Sequence, residues 1–211
     1  VIGKKYDVIV IIAPSHHDSF RGATIYPGRA YETPLGAAAI DVSLARELVD
    51  LCDQVHFSEY GHRAEHAIEV QVPFLQFIFP QTKIIPIVMG YVDWSACENI
   101  GRSLARVLEN KSALIVASTD LYHGESYDDC VQLGDQTLAA IVALQPKNLY
   151  QGLQSGSSQA CGGGPVVVMQ IAAQQRGANA TELLAKTNSN DVIGQKGGYV
   201  VGYGAVAVDR S

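Results

Sequence analysis

The run Val8-Ile9-Val10-Ile11-Ile12-Ala13 constrains this chain more than any other stretch. Six apolar residues follow one another, most of them β-branched, with Asp7 before and Pro14 after. A strand with one wet face alternates apolar and polar residues. An unbroken apolar run is buried on both faces, as in the central strands of a parallel or mixed sheet. Residues 84–88 and 114–117 have the same character, so all three are expected to be adjacent core strands.

Helical patterns alternate with these runs. Asp41 is placed to cap a helix over residues 42–52, and Asp93 opens another whose apolar stripe includes Ala96, Cys97, Ile100, Leu104 and Val107. Further helices are expected over residues 128–144 and 165–175, the second stopped by Gly177. Residues 66–79 are expected to form a helix kinked at Pro73. Residues 55–57 form a brief strand, and two late strands are expected over residues 182–187 and 199–208. The fold class that follows is α/β and three-layered. Its central sheet is mostly parallel or mixed, with helices on both faces, in a single domain over residues 1–211. Residues 18–36 have no clear period and are expected to be a long loop serving a site.

Polar residues gather at the ends of these elements. Ser15-His16-His17 follows the first strand, and Ser118-Thr119-Asp120-Leu121-Tyr122-His123-Gly124 follows the strand at residues 114–117. Glu65-His66-Ala67-Ile68-Glu69 opens the Pro73 segment, and Cys161-Gly162-Gly163-Gly164-Pro165 precedes an apolar helix. In open α/β sheets such groups converge at the carboxyl edge of the strands. His16, Glu65, His66, Asp120, His123 and Cys161 are therefore expected to line one pocket. Three of them have a plainer alternative. His16 also suits a buried hydrogen-bonding role, Glu65 can compensate a helix dipole, and Asp120 can cap a turn.

Those four motifs, in that order and spacing, resemble the Memo family, whose prokaryotic members are called AmmeMemoRadiSam system protein B. The match runs from Ile9 to the end, where residues 199–208 resemble the family's closing strand. The resemblance implies a fold related to class III extradiol ring-cleaving dioxygenases and a metal held by two His and one Cys. It maps one His onto His16 and the Cys onto Cys161. The family's other ligand lies in an upstream Pro-His-Ala-Gly motif. No Pro-His pair occurs here and Val1 is not an initiator Met. The chain is therefore expected to lack an N-terminal segment, and with it a ligand, and to bind metal weakly or be empty. His123, Asp120, Glu65 and His66 are the expected catalytic residues, and His17 is expected to meet substrate. Thiolate beside imidazole suits iron or copper, with zinc as the alternative.

Composition narrows the partners. Of 211 residues, 17% are charged and the net charge is −6, with no cluster of Lys and Arg, which argues against a nucleic-acid face. No apolar stretch is long enough to span a membrane. Cys52, Cys97, Cys130 and Cys161 are scattered without a Cys-x-x-Cys pair, which points to reduced thiols and a cytoplasmic location. The glycines at 162–164 lack the Lys of a P-loop, and neither Ser15 nor Ser118 lies in a nucleophile elbow. The expected function is a non-haem, metal-dependent redox protein whose substrate is not named, and whether it turns anything over stays open. Two alternatives come from other classes. One is a non-catalytic protein that binds a small molecule or peptide on the same scaffold. The other is a zinc hydrolase using Glu65 or Asp120 as general base.

Overall fold

The computed structural model describes residues 3–195 and 197–210. They fall into two compact units divided between Ser118 and Thr119. The first unit contains β1 (Val8–Pro14), β2 (Ala23–Ile25), β3 (Ala30–Thr33), β4 (Gly36–Ala39), α1 (Val42–Leu51), β5 (Val55–Phe57), α2 (Val72–Ile78), β6 (Lys83–Met89), α3 (Trp94–Val107) and β7 (Ala113–Ala117). Its main sheet has the order β5-β2-β6-β1-β7. β1 runs parallel to both β6 and β7, while β2 is antiparallel to β6 and parallel to β5. The three apolar runs are thus neighbours in a mixed, mostly parallel sheet, as their composition predicts.

Every residue of β1 is buried. Ile9, Ile11 and Ala13 pack on one side with Ile68, Val72 and Phe79. Val8, Val10 and Ile12 point the other way, because successive strand side chains alternate, and they are equally buried. The fold class is α/β, with the sheet layered between helices. β7 departs from the expectation of a buried core strand. It is the last strand of its sheet and all five of its residues are half-buried.

Local chemistry sets the helix boundaries. The Asp41 carboxylate accepts the Leu44 N–H at 3.2 Å, and that of Asp93 accepts the Ala96 N–H at 2.8 Å. Each satisfies a donor that the first helical turn leaves without a partner. The expected helix over residues 66–79 is corrected: α2 begins only at Val72, with Pro73 in its first turn. Proline lacks the N–H that an interior position needs but fits the first turn, so it starts this helix rather than kinking one. The expected long loop over residues 18–36 is corrected as well. It contains β2, a strand of the main sheet, and β3, which pairs with β4 in a separate hairpin.

The second unit contains β8 (His123–Gly124), α4 (Tyr127–Val142), α5 (Pro146–Ser155), α6 (Gly163–Gln175), β9 (Ala180–Asn188), α7 (Ser189–Ile193) and β10 (Val200–Asp209). β10 pairs antiparallel with β8 on one side and β9 on the other. α6 buries Val166, Val167, Val168, Gln170, Ile171 and Ala172, so it is covered nearly all round rather than along one stripe. Gln170 donates to the Ile141 carbonyl at 2.7 Å, joining α6 to α4. Among the described residues, no helix is long and apolar enough to cross a membrane.

Candidate functional site

In the first unit the polar group grows out of the end of β1. Ser15 continues the strand for one more bond, donating its N–H to the Met89 carbonyl at 2.9 Å. Its hydroxyl then donates to the Asp18 carbonyl at 2.8 Å and accepts the Asp18 N–H at 3.2 Å. This tight turn makes His16 and His17 leave the sheet. The Asp18 carboxylate accepts the Gly61 N–H at 2.7 Å, which ties the turn to the loop carrying Glu65. Gly61 has φ +81°, and a Cβ there would lie 2.8 Å from Val88 Cγ1, so glycine is required on both counts.

Glu65 is the buried member of this group, with 2% of its side chain exposed. Its Oε2 accepts the His16 backbone N–H at 2.5 Å. Its Oε1 lies 2.9 Å from His16 Nδ1, 3.0 Å from the Ala67 N–H and 3.4 Å from His66 Nδ1. Burial pushes the Glu65 carboxyl up. The hydrogen bonds from the His16 ring, the His16 N–H and the Ala67 N–H outweigh it and hold the group below its ordinary value. The His66 ring stacks on that of His16 at 5.1 Å, and His17 meets His66 edge-on at 6.4 Å. His16, His17 and His66 are all exposed.

A second pair lies deeper in the same unit. His62 is buried. Its Nδ1 lies 2.5 Å from the Tyr31 hydroxyl, and its Nε2 lies 3.3 Å from the Thr24 carbonyl. A carbonyl only accepts, so Nε2 carries the proton and Tyr31 donates to Nδ1. Burial lowers His62 to about 4 and raises the Tyr31 hydroxyl above its usual range.

In the second unit, Asp120, His123 and Cys161 come together. The Cys161 sulfur accepts the Asp120 N–H at 3.1 Å, and the Cys161 N–H donates to the Asp120 carbonyl at 3.1 Å. Thr119 braces the pair: its hydroxyl accepts the Gly162 N–H and donates to the Asp120 carbonyl, both at 2.8 Å. His123 Nε2 stands 3.6 Å from Asp120 Oδ2, too far for a hydrogen bond. Cys161 is exposed, whereas Cys52, Cys97 and Cys130 are free and buried. Burial, with Asp93 nearby, pushes the Cys97 thiol up to about 12.

Among the described residues, two groups of three ligand-type residues result: His16, Glu65 and His66 in the first unit, and Asp120, His123 and Cys161 in the second. Within each group the ligand atoms all lie within 4.8 Å of one another, and the imidazole, thiol and carboxylate donors suit a transition metal. Ser15, Asp18, Tyr31 and Thr119 take supporting roles that the sequence pattern does not assign to them. The Ser15-x-x-Asp18 spacing is the one local signal, since serine at that separation closes a turn on its own hydroxyl.

A family model described as Memo-like protein matches residues 2–207. A MEMO1 family protein of Pyrobaculum aerophilum is 33% identical over 208 residues, covering 98% of this chain and 74% of that protein. One from Methanosarcina mazei is 35% identical over 207 residues, covering 96% of this chain and 76% of that protein. Among solved structures, an uncharacterized protein from Escherichia coli K12 matches with a TM-score of 0.61 at 16% identity. That match covers 95% of this chain and 87% of the other, a likeness of fold.

Proposed function

The chain belongs to the Memo family, and from that premise we propose that it is a metal-binding protein with redox chemistry. His16 is the proposed ligand within the first group of ligand-type residues, and the thiolate of Cys161 the proposed ligand within the second. The observation that carries this reading is the grouping of imidazole, carboxylate and thiol at element ends, where side chains are otherwise free to disperse. A donor set containing a thiolate favours iron or copper, with zinc as the competitor. A bound iron or copper would supply one-electron chemistry and Lewis acidity.

The chain's own residues do the rest. The Asp120 N–H fixes the position of the Cys161 sulfur. His123, facing the Asp120 carboxylate, is the proposed acid–base group. His17 and His66, exposed beside His16, are the groups left to meet a small-molecule or peptide ligand. The four free thiols support a cytoplasmic location.

The test is elemental analysis of chain purified under reducing conditions without chelator. The native chain should take up added iron or copper weakly, and His16→Ala and Cys161→Ala should each lower that uptake severalfold. Equal metal in all three proteins would refute both ligand assignments.

A further inference from the structure

Three N–H groups converge on the Glu65 carboxylate, and two of them belong to one residue. His16 grips it with its backbone N–H at Oε2 and its ring at Oε1, while the Ala67 N–H takes a second position on Oε1. This grip spans 49 residues of sequence and is almost wholly buried on the Glu65 side. An ionised carboxylate has no proton to give, so the ring nitrogen facing it must carry one. Nδ1 of His16 is therefore the protonated nitrogen, and Nε2 keeps its lone pair. Among the described residues, none hydrogen-bonds that nitrogen, and the His16 side chain is 32% exposed.

The group admits two chemical readings. In one, two imidazoles and the Glu65 carboxylate all bind a metal, as in two-His-one-carboxylate sites. In the other, only imidazole binds and the carboxylate stands behind it, the arrangement that fixes tautomer and ring orientation in many metal sites. The hydrogen bonds decide between them. A metal on Oε1 would displace the His16 ring or the Ala67 N–H, and with 2% of its side chain exposed Glu65 has little open face through which Oε2 could reach one. Each such displacement costs about 1–3 kcal/mol.

We infer that Glu65 is a positioning residue rather than a ligand. It locks His16 as the Nδ1–H tautomer and presents Nε2 as the donor atom. This rests on the metal-binding reading above for its purpose, though not for its geometry. A buried carboxylate hydrogen-bonded to Nδ1 also strengthens the donor power of Nε2.

The tautomer is tested first, on native chain stripped of metal. Long-range proton–nitrogen NMR in alkaline buffer, where imidazoles are neutral, should place the His16 proton on Nδ1. A proton on Nε2 would overturn the inference with no metal and no variant involved. Titration with Zn2+ follows. Glu65→Gln should keep the metal stoichiometry and lose about 10–100-fold in affinity. The absorption bands of bound Co2+ should keep their positions in that variant. Unchanged affinity would overturn the positioning role, and either a loss far beyond about 100-fold or a residual Co2+ complex with shifted bands would make Glu65 a ligand. If Glu65→Gln does not fold, the tautomer of the native chain still decides. If the native chain takes up no Zn2+ or Co2+, the metal-binding reading falls while the tautomer measurement stands by itself.

Discussion

In the first unit the acidic member of the polar group is buried and hydrogen-bonded to the imidazole it faces; in the second the acid is half-exposed and stands clear of its histidine. Glu65 accepts three N–H groups within 3.0 Å. Asp120 approaches His123 only to 3.6 Å, with 45% of its side chain exposed. The second group is held through the backbone instead, by the Asp120 N–H on sulfur and by Thr119. A side-chain clamp of the first kind is stiff and costly to break. A backbone cradle of the second kind fixes the sulfur and leaves the Asp120 carboxylate and the His123 ring without a hydrogen bond between them. Removing the two acids should therefore have unequal consequences.

The largest effect is expected from Glu65→Ala. It leaves His16 and Ala67 N–H groups without their acceptor and should destabilise the fold by about 4 kcal/mol, read as a lower midpoint in urea. A loss below about 1 kcal/mol, in the range of an exposed ion pair, would show that the clamp is not a clamp.

Acid should expose a second feature of the first unit. His62 is held at about 4 by burial, against an ordinary value of 6.5. Between those values the unfolded chain binds a proton that the folded chain refuses. Stability is therefore full above about pH 6.5, falls as pH drops toward 4, and loses about 3 kcal/mol over that window. His62→Gln should flatten this slope. Glu65 has the same sign at lower pH: its folded value is depressed, so its contribution persists above the unfolded value and is lost in stronger acid. A native stability that rises as pH falls from 6.5 to 4 would contradict the buried neutral imidazole.

These contrasts were only partly legible in the sequence. Unbroken apolar runs announced β1 and β6 because burial on both faces removes polar residues from a strand. Asp41 and Asp93 announced their helices because capping is a contact over three residues. Pro73 misled because proline is compatible with either a kink or a first turn, and only packing chooses. β2 and β3 have three and four residues, too few for a period to show. α5 carries Pro146 in its first turn but no side-chain cap, so little in its sequence marks its start. The exposure of β7 reflects its place at the end of the sheet, which composition does not encode. The roles of Glu65 and His62 were out of reach, because they depend on contacts spanning 49 and 31 residues.

The smallest effect is expected in the second unit. Asp120→Ala removes a half-exposed carboxylate and leaves the backbone N–H on Cys161 in place, so stability should change by less than about 1 kcal/mol. A loss comparable to that of Glu65→Ala would erase the distinction between the two groups.

The donor set itself is read most directly from the near-ultraviolet spectrum of the chain loaded with Co2+. Cys161 is the exposed thiol, the other three being buried. A thiolate-to-cobalt charge-transfer band should therefore appear in the native chain and vanish in Cys161→Ala. A native Co2+ complex without that band, or a band that survives in Cys161→Ala, would contradict the assignment of this sulfur as a metal ligand.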